Sequence, residues 1–369
     1  MKNNALKQLQ TFGQSIWLDY IRRDLITSGE LRRLIEEDGL QGMTSNPSIF
    51  EKAIVESQLY DADIRAMTRK GKTAQVIYET LSQQDVQSAA DAFRPLYEQT
   101  NGKDGYISLE VNPHLAHDTK GTIQEARRLW KALHRPNVFI KVPATSEGIP
   151  AIQQLISEGI NVNVTLLFGL PRYRQVAEAF IAGLEARAAQ GKPVKRVTSV
   201  ASFFLSRIDT LVDPLLTKPL KQGGHTGELA KKVAGQTAIA SAKEAYQIFK
   251  EIFGGDRFMK LTAQGALPQR LLWASTGTKN PDYSDVKYVE ALIGPDTVNT
   301  FPVDTLDAYR DHGDPSASLE KGVVEAARLL KHLPELGIMI DAITQQLENE
   351  GIEKFNKPFD LLLETLANK

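Results

Sequence analysis

Lys141 lies in the stretch NVFIKVPAT, residues 137–145, where Val138, Phe139, Ile140 and Val142 read as a short buried strand. Pro143 is expected to end the pairing of that strand, which leaves the lysine near its C-terminal end. Burying an unpaired ammonium is costly, so lysines are as a rule kept at the surface. A lysine desolvated in a pocket shifts toward its neutral amine, and a free amine attacks ketones to form a Schiff base. The protonated imine is an electron sink. It lets the carbon–carbon bond one position away break and holds the resulting carbanion as an enamine. Such chemistry needs an acid/base for dehydrating the carbinolamine and another for a sugar hydroxyl. Glu110 and Asp19 are of the right type for those roles. Asn46, Asn163 and Ser202 suit sugar oxygens, and Arg207 and Lys279, just beyond strand ends, suit a phosphate.

Groups so far apart in sequence need a scaffold that gathers them. Apolar runs at 15–20, in LQGMTSNPS, and at 105–111, 137–142, 160–168, 196–204, 270–276 and 296–301 read as strands. Helical patterns separate them: a leading helix near 3–12, one closed by Gly39 whose Thr27 and Glu30 have capping-box spacing, a continuous stretch over 51–100, then 120–133, 147–158 and 171–189. A long helical stretch over 205–252 contains the interruption KQGGHTGE, a helix follows near 284–293, and helices run to the end. Alternating strands and helices predict a parallel sheet. About eight such units predict a single (β/α)8 barrel over 1–369, with a helical insertion before the seventh strand and extra C-terminal helices. An open doubly wound sheet is the alternative.

In a barrel the functional face is at the C-terminal ends of the strands. Asp19, Asn46, Glu110, Lys141, Asn163, Thr165, Ser202 and Ser275 all fall there. Ser108 and Glu110 share one face of their strand, as do Asn161, Asn163 and Thr165 of theirs. Taken singly, each has an ordinary reading: a strand-end Asp or Asn is usually a hydrogen bonder, and Lys141 alone could equally serve in an ion pair. The recurrence of polar groups at the same end of many strands is what argues for a site.

Composition narrows the partners. Among 369 residues, 44 Lys and Arg nearly balance 45 Asp and Glu, for a formal charge of -1, so nucleic acid and anionic membranes are poor partners. With no cysteine, disulfides, iron–sulfur clusters and thiolate zinc sites are excluded. The N-terminus lacks a signal-peptide pattern and no apolar run approaches the roughly 20 residues that span a bilayer, so a cytoplasmic location is expected. His114 and His117 are three apart but lack an evident third ligand, so no metal is expected. GGHTGE follows no strand and lacks the Walker lysine. The sequon at Asn163 lies inside an apolar run.

The segments WLD, GMTSNPSIF, ISLEVNP, FIKVPAT, NVNVTLLF and ASFFLSRID resemble, in order, the strand-end motifs of transaldolases. LLWASTGTKNPDYSDVKYVEALIGPDTVNTFP is similar to the longer-chain branch of that family. The resemblance runs from about residue 13 to the C-terminus. It implies a barrel with the Schiff-base lysine, here Lys141, on the fourth strand. It further implies transfer of a dihydroxyacetone unit between sugar phosphates, without metal or organic cofactor, by a monomer or homodimer. Carried over by motif, Asp19 would handle the C4 hydroxyl proton. Glu110 would act as acid/base through a water positioned by Thr165. Asn46, Asn163 and Ser202 would bind the dihydroxyacetone hydroxyls, and Arg207 the phosphate. Where the better-known branch has an arginine after the seventh strand this chain has ASTGTKN, with Ser275 and Lys279, and a lysine is a point charge rather than a bidentate fork. Ser206 stands where many relatives have glycine. Related fructose-6-phosphate aldolases, which release dihydroxyacetone, resemble this pattern with a tyrosine at the position of Phe204 and a glutamine at that of Glu110. Both residues here favour transfer.

Overall fold

Eight parallel strands close on themselves in chain order: β1 (Gln14–Asp19), β2 (Gly42–Thr44), β3 (Tyr106–Glu110), β4 (Val138–Pro143), β5 (Val162–Leu167), β6 (Ser199–Phe204), β7 (Arg270–Ala274) and β8 (Thr297–Phe301). This computed structural model describes residues 4–369. The leading helix covers Ala5–Thr11 with Asn4 as its cap, and residue 3 of the expected span lies outside the described residues. The (β/α)8 barrel is therefore the observed architecture, and the open sheet is not. Among the described residues no helix is long and apolar enough to cross a membrane.

Because alternate residues of each strand point inward, the lumen is built in layers. Its lower end holds Ser15, Asp104 and Arg270, joined by hydrogen bonds. Above them lies an aromatic plug. The rings of Tyr106 and Phe139 stack at 4.3 Å, and Trp17 lies 6.0 Å from Phe139. Gly42 on β2 makes room for it, since a Cβ there would stand 2.6 Å from the Trp17 indole. The plug divides the lumen, and the polar ends of the strands face the mouth above it.

The helices depart from expectation in several places. The 51–100 stretch is three helices, Pro47–Val55, Asp61–Arg69 and Ala74–Gln99, the last started by Thr73, whose hydroxyl accepts from Val76 N–H. Thr27 ends the helix Arg23–Thr27 rather than opening a capping box, and its hydroxyl donates to the Arg23 carbonyl. The insertion before β7 is broken into short helices ahead of Thr237–Phe253, and the helix near 284–293 is one turn, Lys287–Glu290.

Pro143 does not end the pairing of β4 and sits in register with Thr165 of β5. Ile140 donates to Asn161 just before β5 and Ala144 to Thr165 within it, so the position lacking an N–H faces the other way, toward β3, which has already ended at Glu110.

Candidate active site

A pocket of about 250 Å³ opens at the C-terminal end of the barrel. Asp19, Asn46, Lys141, Thr165, Ser202, Phe204, Arg207, Ser275 and Lys279 line it, together with Thr44, Thr300 and Phe355. Glu110 and Asn163 do not face the pocket. They lie beside and beneath it.

Register explains the grouping. Glu110 of β3, Lys141 of β4 and Asn163 of β5 stand in one row across three adjacent strands. Lys141 is 4% exposed, its ammonium donates to the Ser45 carbonyl at 2.9 Å, and it lies 3.2 Å from Glu110 Oε2. That contact is off the hydrogen-bonding direction, and both Glu110 oxygens are buried without a hydrogen-bond partner. A buried carboxyl without a directed hydrogen bond is costly as the charged form. Burial pushes the Glu110 carboxyl above its usual range, the Lys141 charge opposes this, and Asp19 adds to it.

Asp19, the last residue of β1, accepts a 2.7 Å hydrogen bond from the Thr44 hydroxyl, which is itself 2.7 Å from the Thr300 hydroxyl. Burial also raises the Asp19 carboxyl, against the lowering effects of Lys141, the Thr44 bond, Arg207 and Lys279. Two carboxyl groups thus hold protons more tightly than free ones, on either side of a lysine. That is the arrangement acid/base work requires.

The amides divide between architecture and site. Asn46 uses its side-chain oxygen to cap Pro47–Val55 through the Ile49 N–H at 3.0 Å, which leaves its amide nitrogen for the pocket. Asn163 is fully buried: it donates to Ser108 Oγ at 3.0 Å and accepts from Ser202 Oγ at 2.7 Å, so it orients Ser202 from below. Thr165 lines the pocket with a buried hydroxyl that has no partner. Directly after it a bulge in β5 puts Leu166 at φ 53.

The opposite wall is cationic. Arg207 opens the helix Ser206–Val212 after β6. Its guanidinium lies 5.2 Å from the Phe204 ring, and one terminal nitrogen is buried without a hydrogen-bond partner. Ser275, at φ 56 after β7, is 2.8 Å from Ser206 through the hydroxyls, and Lys279 reaches the pocket from the exposed loop beyond. This wall is suited to an anion. His114 and His117 form no common site, since they face Asp360 and Glu147 respectively.

Sequence reasoning missed five lining residues, of which Ala274 and Pro302 supply only apolar wall. Thr44 ends β2 two residues before Asn46 and could have been found by its place at a strand end. Thr300 needed the register of β8 against β1. Phe355 lies on the C-terminal helix Ile340–Ala367, which crosses the mouth, and its ring centroid is 5.8 Å from Lys141 Nζ. Its local pattern is that of an ordinary amphipathic helix and carries no signal.

A profile of the Transaldolase/Fructose-6-phosphate aldolase family matches residues 16–366. The chain is 50% identical to a transaldolase of Trichodesmium erythraeum, with 100% of this chain and 98% of that protein aligned. It is 46% identical to a transaldolase of Thiobacillus denitrificans, over 98% and 99% of the two chains. With one of Saccharopolyspora erythraea the figures are 45%, 100% and 98%. With the barrel, the strand-four lysine and these full-length matches together, the chain belongs to the transaldolase/fructose-6-phosphate aldolase family.

Proposed function

We propose that this chain is a transaldolase. It moves a dihydroxyacetone unit from sedoheptulose 7-phosphate or fructose 6-phosphate to glyceraldehyde 3-phosphate or erythrose 4-phosphate, in the non-oxidative pentose phosphate pathway. Lys141 attacks the ketose carbonyl, and loss of water gives the imine. Glu110 exchanges the protons of that step through a water held by Thr165. Asp19 takes the proton of the C4 hydroxyl as the C3–C4 bond breaks, and returns a proton to the new hydroxyl when the acceptor is attacked. Asn46 and Ser202, the latter oriented by Asn163, hold the hydroxyls of the transferred unit. Arg207 holds the phosphate, with Ser275 and Lys279 beside it, while Phe204 packs under the guanidinium. These steps call only for amine, carboxyl, amide and hydroxyl chemistry. The chain works as one catalytic domain, 1–369, in the cytoplasm, as a monomer or homodimer.

The observation that carries this reading is the Lys141 amine held 3.2 Å from a hydrogen-bond-free Glu110, at the base of a pocket that also presents Asp19. The test supplies fructose 6-phosphate with and without erythrose 4-phosphate. Formation of sedoheptulose 7-phosphate that depends on the acceptor is expected. Free dihydroxyacetone released at the same rate whether or not acceptor is present would contradict transfer.

A further inference from the structure

After the donor is cleaved, the enamine on Lys141 must wait for an acceptor, and it has two fates. In transfer, its nucleophilic carbon attacks the aldehyde carbon and Asp19 protonates the new hydroxyl. In release, that carbon takes a proton instead, water adds to the imine carbon, the carbon–nitrogen bond breaks, and dihydroxyacetone leaves with the amine restored. Both routes balance, and release requires water at the imine carbon.

The only ring that faces the Lys141 amine from the C-terminal helix is Phe355, 4% exposed and 5.8 Å from Nζ, and it has no polar atom with which to orient water. The helix is seated so that this ring cannot drift. Gly351, one turn earlier, packs where a Cβ would stand 2.8 Å from Leu166, the bulged residue next to Thr165. Glu348, one further turn back and 5% exposed, pairs with Arg172 at 3.3 Å. On the other side of Phe355, the Phe359 ring meets Tyr78 edge-on at 5.5 Å, and Asp360 holds His114 at 2.7 Å. A helix tied at both ends and pressed down by a glycine holds one phenyl ring over the nucleophile.

We propose that Phe355 keeps water from the Schiff base and so, beside Phe204 and Glu110, helps set the ratio of transfer to release. The inference rests on the transaldolase reading above and adds to it a specificity determinant outside the strand-end motifs. Because water exclusion is a matter of apolar cover, leucine should serve nearly as well as phenylalanine, and alanine should not.

The test measures free dihydroxyacetone against sedoheptulose 7-phosphate formed from fructose 6-phosphate and erythrose 4-phosphate. Phe355→Ala should raise the release-to-transfer ratio about ten-fold, which corresponds to ~1.4 kcal/mol less barrier to water attack. Phe355→Leu should change it less than about two-fold, a shift well under 1.4 kcal/mol. Gly351→Ala, which sets a methyl group 2.8 Å from the Leu166 side chain while leaving Phe355 in the chain, should also raise the ratio by displacing the helix, and it carries the test if Phe355→Ala does not fold. An unchanged ratio in Phe355→Ala or, failing that variant, in Gly351→Ala would overturn the proposal. So would an equal rise in the leucine and alanine variants, which would assign the effect to the aromatic face acting on the iminium charge. Wild-type protein that transfers nothing would overturn both the inference and the reading beneath it. Wild-type transfer with an unaltered ratio in the variants would overturn the inference alone.

Discussion

At the lower end of the lumen Asp104 and Arg270 lie 2.9 Å apart, and Asp104 also accepts from Ser15, Trp17 and Gln41, while the guanidinium donates onward to the Lys103 carbonyl and Ser15. At the upper end Lys141 and Glu110 lie 3.2 Å apart, and neither Glu110 oxygen has a hydrogen bond. Each is a buried ion pair in the same barrel, separated from the other by the Trp17–Phe139–Tyr106 plug. The lower pair is saturated and joins β1, β7 and the chain ahead of β2 and β3. The upper pair has one directed hydrogen bond, from Lys141 to the Ser45 carbonyl, and burial raises its carboxyl above the usual range. A saturated buried pair specifies a structure, whereas a sparsely bonded one stores reactivity, because its carboxyl can change charge without breaking a network.

The largest effect should come from exchanging the fates of the two pairs. Lys141→Met should lower transfer about 10⁴-fold or more, as loss of a covalent nucleophile does. It should cost little stability, since Glu110 can neutralise itself by taking a proton. Asp104→Ala strands a guanidinium that cannot deprotonate, so urea unfolding should show a loss of about 3–5 kcal/mol. Turnover per folded molecule should remain. A Lys141→Met protein as destabilised as Asp104→Ala would break the comparison.

Next in size are the carboxyl groups near Lys141. Asp19→Asn and Glu110→Gln should each lower kcat about 10²–10⁴-fold, the range for a positioned acid or base. Stability should respond to pH at the same place. Because burial raises the Asp19 carboxyl, its contribution is fully present below the unfolded value and is lost as pH rises through the folded one. The melting temperature of Asp19→Asn relative to wild type should therefore climb from pH 4 to pH 7. A difference that shrinks over this interval would mean that the Asp19 carboxylate is stabilised in place.

The smallest effect should come from the plug that separates the two ends. Gly42→Ala places a methyl group 2.6 Å from Trp17, and the overpacking should cost about 1–3 kcal/mol of stability by thermal unfolding. An unchanged melting temperature would mean that Trp17 moves freely and the two layers are not held apart by packing.

Much of this molecule can be read from its sequence because a barrel repeats one unit. Strand, helix and strand-end residue recur, so counting and alternation place Glu110, Lys141 and Asn163 at the same end of their strands, while the row they form needs the register. What could not be read depends on contacts between distant segments. That Asn163 lies beneath the pocket and turns to Ser108 and Ser202 is set by packing across the lumen, not by its own strand. Pro143 stays in its strand because β3 happens to end beside it. The helices within 51–100 break at short loops that a continuous apolar stripe conceals. Phe355 reaches Lys141 from more than 200 residues away, on a helix whose sequence pattern speaks only of burial.

The claim on which the rest depends is that Lys141 is the nucleophile. Incubation with fructose 6-phosphate, reduction with borohydride, digestion and mass spectrometry would locate the trapped imine. The account predicts a dihydroxyacetone-sized adduct on Lys141 and on no other lysine. An adduct on Lys279 or any other lysine, or none in folded protein that still binds the sugar, would contradict it.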